Sequence, residues 1–349
     1  MRHRTKLHVD FGILENNFEL LKKIAPKNET LFMVKANAYG HGMIPIVQYS
    51  NQRLKIKEFG VATIEEGIHL RESLNKLEFE VYVFSDIQLD LESNYSLYRN
   101  RRIIPVISQI NDLRVFVKNA HFRHLPLVLK FNTGMNRLGL MEDDLDECIA
   151  LLKKYKRTNI SHLMSHFASS FLPIDKVKKT ENQLNSFKDI KKTFRENGIT
   201  VEKSSIANSG AIEQSFGLEE THIRPGLMLY GPSSLVAPLR KKSLWKGDNI
   251  SRLETTIIST FSVKKGDPLG YGAIPCPESG IIGIIGIGYG DGFLSLYQGA
   301  SFRHRNNFGK VVGRVSMDMA HILFPNSLEK QLNVGDSFQV WGHDSLELL

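Results

Sequence analysis

The chain has 349 residues, of which 42% are hydrophobic and 23% charged, and its formal net charge is +8. These proportions are ordinary for a globular protein, and the length allows one large domain and a smaller one. No apolar run approaches the ~20 residues of a membrane-spanning helix, and the positive charge is spread over short clusters, so we expect neither a membrane protein nor a nucleic-acid-binding protein.

The N-terminus and the cysteines give a prediction of location. The segment MRHRTKLHVDFG has neither the apolar core nor the small-residue cleavage site of a secretory signal. Cys148 and Cys276 are too few for a disulfide scaffold and lack the spacing of metal ligands. We therefore expect a cytoplasmic protein without a metal site.

Short apolar strands alternate with helical patterns through the first two thirds of the chain. Patterns such as ILENNFELLKKI and DDLDECIALLKKY place apolar residues at helical spacing. Eight strands are predicted between them: Leu31–Ala36, Phe59–Thr63, Val81–Phe84, Ile103–Ser108, Leu125–Phe131, Ile160–Phe167, Val201–Asn208 and Ile223–Tyr230. This alternation predicts an α/β fold with a parallel sheet, and eight units favour a closed (β/α)8 barrel over residues 11–238.

The rhythm changes after Pro238. A polar connection, KKSLWKGDN, leads to β-rich and turn-rich segments such as LETTIISTFSV, IIGIIGIGYGDGF and KVVGRVSMDMAHILF. We predict a smaller all-β domain over residues 239–349, with an N-terminal strand in residues 1–10 packed on it.

Barrel enzymes carry their chemistry at the carboxyl ends of the strands. On the predicted barrel, that rule selects a set of polar residues before any comparison is made: Lys35, Lys130, Arg137, His166, Asn208, Ser209 and Arg224. Lys35 follows the apolar residues LFMV, where desolvation lowers the pKa of an amine and makes it a nucleophile or base. Pyridoxal phosphate needs such an amine, and Tyr39 could reach its phosphate. A lysine that merely extends its charge from a strand end into solvent remains the alternative.

Several motifs together resemble those of alanine racemases. VKANAYGHG resembles the cofactor-lysine motif of that family, and LKFNTGMNRLGL resembles its Lys-x-x-Thr-Gly-Met-x-Arg-x-Gly segment. SHFASS, ANSGA, IRPGLMLYG, GYGA, GIGYGDGF and GRVSMDM follow in the family's order, with Ser165 where threonine is usual. The resemblance implies a barrel followed by a β domain, and interconversion of L- and D-alanine through an aldimine of pyridoxal phosphate, which supplies D-alanine for peptidoglycan.

The resemblance also implies which residues act on the proton. Lys35 would carry the cofactor and serve as one base, and Tyr271 would be the opposing base on the other face of the α-carbon. His166 would link Tyr271 to Arg224, which would face the pyridine nitrogen. Racemisation through a planar carbanion needs one proton-transferring group on each face, so the pair is chemically coherent.

Other positions would hold the phosphate and the substrate. The resemblance assigns the phosphate to Tyr39, Ser209 and the backbone around Gly226 and Leu227, and places Asn208 near the cofactor. The substrate carboxylate would meet Arg137 and the backbone N–H of Met317. Two further residues would support these groups, Asp318 beside Met317 and Lys130. In many family members the lysine that matches Lys130 is carbamylated, and its negative charge orients the arginine.

In the resembling enzymes Tyr271 and Met317 come from the second subunit, which implies a homodimer with shared active sites. Family members usually continue beyond the final segment VWGHDSLELL and supply a tyrosine to the phosphate. The shorter tail leaves two expectations open, a natural short-tailed enzyme or a truncated product. The alternatives to an alanine-specific enzyme are a broad-specificity racemase, a related decarboxylase, which the GYGA and SMDM strings disfavour, and a catalytically weakened cofactor-binding protein.

Overall fold

A computed structural model describes residues 3–305, 307–328 and 330–342 of the chain. The chain divides into two compact units, Phe11–Asp248 and the combination of Met1–Asp10 with Asn249–Leu349, called here the barrel unit and the β unit. Residues 343–349, within the final segment VWGHDSLELL, lie outside the described residues.

In the structure the segment 239–248 belongs to the barrel unit, whereas the sequence predicts the boundary after residue 238. Trp245 is buried and its indole Nε1 donates to the Gly231 carbonyl at 3.1 Å. The side chain of Asn17 donates to the Asp248 carbonyl at 2.8 Å. These buried bonds hold the polar connection against the barrel.

A nearly closed parallel barrel forms the first unit, as the strand and helix alternation predicts. The N-terminal strand β1 (Thr5–Val9) belongs to the β unit. Within the described residues the barrel strands are β2 (Glu29–Met33), β3 (Glu58–Thr63), β4 (Glu80–Asp86), β5 (Ile103–Ile107), β6 (Val128–Lys130), β7 (Asn159–Met164), β8 (Thr200–Ser205) and β9 (His222–Ile223). They follow one another in parallel pairs from β2 to β8, and β9 lies beside β2. At the seam between β8 and β9 the Arg224 N–H donates to the Ala207 carbonyl at 3.0 Å.

Helices surround the barrel strands. They are α1 (Phe11–Ile24), α2 (Lys35–Tyr39), α3 (Met43–Gln52), α4 (Ile64–Ser73), α5 (Tyr95–Arg101), α6 (Ile110–Lys118), α7 (Leu145–Lys154), α8 (Lys178–Glu196), α9 (Ser209–Glu213) and α10 (Ala237–Arg240). In α1 the buried residues Leu14, Asn17 and Leu21 share one face, as the apolar spacing of the sequence predicts. None of the helices in the described part of the chain is long and apolar enough to cross a bilayer.

Six of the eight predicted strands end earlier in the structure than the sequence predicts, and the first and the last show the cause. The first strand ends at Met33 because the residues after Lys35 turn with φ near +50°, which no strand can accommodate. The last ends at Ile223, since Pro225 has no N–H for a ladder bond, and residues Leu227–Tyr230 form a 3-10 turn.

The β unit is an antiparallel sheet. Its further strands are β10 (Ser251–Val263), β11 (Pro268–Leu269), β12 (Ile274–Pro275), β13 (Gly280–Ile285), β14 (Ser301–His304), β15 (Asn307–Val312), β16 (Ala320–Phe324) and β17 (Ser337–Trp341). The main order is β1-β10-β13-β16-β15-β14, with β17 also paired to β10 and a separate hairpin of β11 and β12. Ile257, Ile285, Ile322 and Phe338 fill the core of this unit.

Candidate active site

A cavity of about 440 Å³ lies at the carboxyl ends of the barrel strands. It brings together all ten site residues that the sequence predicts for the barrel: Lys35, Tyr39, Lys130, Arg137, His166, Asn208, Ser209, Arg224, Gly226 and Leu227. Four of the lining side chains are lysine or arginine, and no aspartate or glutamate among the described residues lines it. Such a lining attracts anions and disfavours a charged amine.

Lys35 opens a left-handed turn. Ala36, Asn37, Ala38 and Tyr39 all have φ between 52° and 55°, a conformation that costs non-glycine residues about 1–2 kcal/mol each. Both carboxylate oxygens of Glu66 accept backbone N–H bonds at 2.7 Å, one from Ala36 and one from Ala62. Charge-assisted bonds of this kind offset part of the strain and fix the backbone beside Lys35.

The amine of Lys35 is poised toward its neutral form. Burial, reinforced by the charge of Arg137, lowers the pKa of Lys35, and the nearby Glu66 carboxylate opposes this shift. A lowered pKa increases the fraction of free amine, the form that attacks a carbonyl carbon.

Lys130 and Arg137 lie at the two ends of one loop. Lys130 is 6% exposed at the end of β6, and burial followed by neighbouring charges, with Arg224 first among them, lowers its pKa to about 8. The Lys130 carbonyl accepts from the Leu140 N–H at 2.8 Å, which closes the loop. Inside the loop, Asn132 Oδ1 accepts from the Asn136 N–H at 2.9 Å, so the turn that presents the exposed Arg137 is held by its own side chain.

Arg224 is buried and donates on several sides. Its Nη1 bonds to the Ser205 hydroxyl and its Nη2 to the Ser165 carbonyl, while Nη2 also lies 3.3 Å from His166 Nδ1. Burial lowers the pKa of Arg224 to about 9, so the guanidinium remains charged at neutral pH. Because a charged guanidinium only donates, His166 Nδ1 must accept.

The tautomer of His166 follows from that bond. Burial, and then the Arg224 charge, holds the pKa of His166 well below its usual range, so the ring is neutral. With Nδ1 as acceptor, the ring proton resides on Nε2. Asn208 Nδ2, also a donor, lies 3.3 Å from Nε2, but a neutral ring accepts at only one nitrogen and the charged Arg224 is the stronger donor. Asn208 Nδ2 donates instead to the Phe167 carbonyl at 3.1 Å. His166 can therefore donate a hydrogen bond from Nε2.

Ser209, Gly226 and Tyr39 meet at the other end of the cavity. The Ser209 hydroxyl accepts from the Gly226 N–H at 3.0 Å and from the Met228 N–H at 3.3 Å. A Cβ at Gly226 would collide with the Tyr39 hydroxyl, so glycine lets the tyrosine approach without a shift. The Gly226 N–H, expected to meet a phosphate directly, is thus already bonded to Ser209.

The remaining predicted site residues belong to the β unit. Tyr271 is 73% exposed on the turn between β11 and β12, where the neighbouring Gly270 and Gly272 have positive φ. Met317 is exposed, and its carbonyl accepts from the Gly290 N–H at 2.8 Å. Asp318 pairs with Arg4 at 3.4 Å.

Two family models divide the chain between them. The N-terminal domain model of alanine racemase matches residues 9–234, and the C-terminal domain model matches residues 250–348. The chain belongs to the alanine racemase family. It is thereby an isomerase of that family, and its barrel followed by an antiparallel sheet is the family's architecture.

Individual alanine racemases agree over nearly the whole chain. The alanine racemase of Vesicomyosocius okutanii is 30% identical over 352 residues, which cover 99% of this chain and 91% of the relative. The solved alanine racemase of Acinetobacter baumannii is 28% identical with a TM-score of 0.82 and covers 98% of this chain and 91% of its own. The alanine racemase of Bartonella henselae has been solved with covalently bound pyridoxal phosphate. It is 22% identical to this chain with a TM-score of 0.83, and the match covers 98% of this chain and 91% of that one. At this identity the likeness shows the fold alone.

Three residues that support the cavity lining without being part of it were not found from the sequence: Glu66, His162 and Ser205. For Glu66 a signal was present, because Thr63-x-x-Glu66 has the sequence pattern of a capping box, and Thr63 Oγ1 does accept from the Glu66 N–H at 3.3 Å. Its carboxylate, however, bonds Ala36 and Ala62 rather than returning to Thr63. His162 and Ser205 carry no local motif.

Proposed function

We propose that this chain racemises alanine, with pyridoxal phosphate held covalently by Lys35 in the barrel cavity. The observation that carries the proposal is the cavity itself. Its lining has four cationic side chains, among them Lys35 with its lowered pKa, and no acidic side chain among the residues that the structure describes. The cofactor phosphate and the substrate carboxylate are anions that such a lining accommodates. Covalently bound pyridoxal phosphate in the Bartonella henselae alanine racemase is consistent with this assignment.

The residues present fit the cofactor at both of its ends. Tyr39, Ser209 and the backbone at Leu227 would hold the phosphate, with Asn208 beside them and with Gly226 acting through its bond to the Ser209 hydroxyl. Arg224 would face the ring nitrogen. An arginine does not readily give up a proton, so the nitrogen would stay unprotonated. When bound, pyridoxal phosphate supplies an electron sink that makes the α-proton of the substrate acidic.

The protein groups would then move that proton. Lys35 would serve on one face of the α-carbon and Tyr271 on the other. A phenol is a poor base at its ordinary pKa of about 10, and a hydrogen bond to its ionised oxygen makes ionisation easier. His166, with its proton on Nε2, is able to donate such a bond to Tyr271.

Arg137 would bind the substrate carboxylate, together with the Met317 N–H and with Asp318 as support. Lys130 would be carbamylated. Its lowered pKa of about 8 supports this, because only the neutral amine reacts with carbon dioxide. The resulting carbamate would add a negative charge among the cations and orient Arg137.

The active form would be a homodimer in which Tyr271 and Met317 of one copy complete the barrel cavity of the other. This assignment depends on the family resemblance of the GYGA and SMDM segments. The product, D-alanine, would supply peptidoglycan precursors in the cytoplasm, a location with which the buried free thiols of Cys148 and Cys276 agree.

Borohydride reduction of the purified holoenzyme, followed by peptide mapping, tests the central assignment. The label is expected on Lys35, and Lys130→Met protein should be labelled at the same position. Labelling elsewhere would contradict the proposal. In parallel, loss of the α-proton of L-alanine in deuterium oxide should accompany cofactor binding. A protein that binds the cofactor but exchanges no proton would be the weakened homologue instead, and equal exchange from many amino acids would indicate a broad-specificity racemase.

A further inference from the structure

A buried hydrogen-bonded chain supports Arg224 from the interior of the barrel. Ser205 on β8 receives a bond from Arg224 Nη1, and its Oγ lies 2.8 Å from His162 Nε2 on β7. Ser205 and His162 are both fully buried. The hydrogen bonds from Arg224 to Ser205 and from Ser205 to His162 therefore link a residue that lines the cavity to the core of the barrel.

The direction of each bond is determined by the donors available. Arg224 can only donate, so the Ser205 oxygen accepts, and the hydroxyl proton of Ser205 is left to donate to His162 Nε2. His162 is therefore neutral, with its ring proton on Nδ1. Its surroundings favour that state: burial first, then the charges of His222, Arg224 and Lys203, hold the pKa of His162 well below its usual range.

Packing alone does not account for a histidine at this position. The ring of Tyr82 on β4 meets it edge-on at 6.0 Å, and the ring of His222 on β9 lies 5.0 Å away. Within the described residues His162 Nδ1 has no hydrogen-bond partner, and a buried unpaired donor costs about 1–3 kcal/mol. An apolar ring would fill the same space without that cost, so the bond to Ser205 is the feature that a histidine supplies.

We propose that His162 is a positioning residue that acts through Ser205 to fix the guanidinium of Arg224. By accepting the hydroxyl proton, His162 holds Ser205 in the rotamer whose oxygen points at Arg224 Nη1. Without this acceptor the hydroxyl is free to rotate, and Arg224 loses one of its fixed partners. The inference depends on the proposed function only in that Arg224 is taken to face the cofactor ring.

The test compares three variants of the holoenzyme. His162→Phe keeps a ring but removes the acceptor, whereas His162→Gln retains an acceptor near the position of Nε2. Tyr82→Phe is the matched control, because it alters the same buried cluster without touching Ser205. For His162→Phe we expect kcat with alanine to fall about tenfold with little change in KM, as for loss of one bond to a charged group.

The pH titration of the cofactor absorbance gives a second readout. When Arg224 is less firmly held, it protects the cofactor ring nitrogen less from protonation. The pH at the midpoint of the absorbance titration should therefore rise in His162→Phe and stay at the wild-type value in His162→Gln and Tyr82→Phe. An unchanged midpoint in His162→Phe, or equal damage in His162→Gln, would refute the positioning role. If His162→Phe does not fold, Ser205→Ala should reproduce its shift, and a wild-type midpoint in Ser205→Ala would refute the role equally.

Crystal structures of the variants separate this inference from the proposed function. The Arg224 guanidinium should be displaced from its wild-type place in His162→Phe and retained in His162→Gln, with or without cofactor. Should the wild-type chain bind no pyridoxal phosphate at Lys35, the proposed function fails, while the position of Arg224 still decides the role of His162.

Discussion

Lys130 is a buried cation placed among other cations, and this determines its contribution to stability. Its ordinary pKa of 10.5 falls to about 8 in the folded chain. The folded state therefore disfavours the charged amine. The penalty is complete below pH 8 and disappears as the pH rises toward the unfolded value. A shift of this size corresponds to about 3 kcal/mol.

Replacing Lys130 by Met should consequently stabilise the cofactor-free protein at pH 7 by up to about 3 kcal/mol, and the gain should shrink toward pH 10. Urea unfolding in carbonate-free buffer measures the difference. Lys203→Met is the control of opposite sign. Burial lowers the pKa of Lys203, but the hydrogen-bonded Glu58 raises it by more, so the net shift is upward. Removal of the Lys203 amine should therefore destabilise the protein at pH 7. A destabilised or pH-independent Lys130→Met variant would contradict the electrostatic account.

Tyr271 is assigned to one face of the substrate, so its loss should be stereochemically unequal. In Tyr271→Phe the cofactor should still bind, because the proposed cofactor contacts come from the barrel. By the family resemblance Lys35 handles the proton of D-alanine. Proton NMR in deuterium oxide should therefore show exchange from L-alanine falling by about 10²–10⁴-fold while exchange from D-alanine persists. Similar losses for both enantiomers would remove Tyr271 from its assigned role.

At the scale of an element, the left-handed turn after β2 is strained, because four consecutive non-glycine residues in it have positive φ. It brings Lys35 and Tyr39, four residues apart, to the same cavity. The Ala38 N–H still finds the Val34 carbonyl at 2.8 Å, and Glu66 holds the Ala36 N–H. These bonds satisfy the backbone, but they do not remove the repulsion between each Cβ and its own chain.

A glycine in this turn should therefore stabilise the protein. Ala36 is exposed with φ of 52°, and Ala36→Gly should raise the free energy of unfolding by about 1 kcal/mol. The matched control is Ala150→Gly on the exposed face of α7, where the same substitution should lower it by about 1 kcal/mol. Urea unfolding of both variants measures whether the free energy of unfolding rises or falls in each. A destabilised Ala36→Gly variant would show that the turn is not strained.

At the scale of the whole molecule, periodicity predicted the barrel, the β unit and the end of the barrel that carries the polar residues. It could not predict the left-handed turn, because Ala and Tyr favour right-handed conformations locally, Asn enters the left-handed region only occasionally, and the bond from the Ala36 N–H to Glu66 is tertiary. Nor could it predict the bond between His162 and Ser205. In the register of β7 and β8, His162 pairs with Lys203, so Ser205 lies two residues further along the same face. Strand register depends on the closed sheet rather than on either segment.

Shared active sites are the proposal that involves the whole assembly. Lys35 lies in the barrel unit and Tyr271 in the β unit, so variants at the two positions damage different parts of the chain. If each site takes Lys35 from one subunit and Tyr271 from the other, a mixed dimer of Lys35→Ala and Tyr271→Phe has one intact site and one doubly damaged site.

Subunit exchange between these two variants should therefore restore activity that neither possesses alone. With random exchange of equal amounts, half of the dimers are mixed and half of their sites are intact, so recovery should approach about a quarter of wild-type racemisation. Mixing Lys35→Ala with Arg224→Ala is the matched control, since both changes damage the barrel and no mixed dimer gains an intact site. Recovery in the first mixture alone supports sites completed across the dimer. If exchange is demonstrated by mass-tagged subunits and the first mixture stays inactive, Lys35 and Tyr271 must act within one chain, because only then does every site keep one damaged residue.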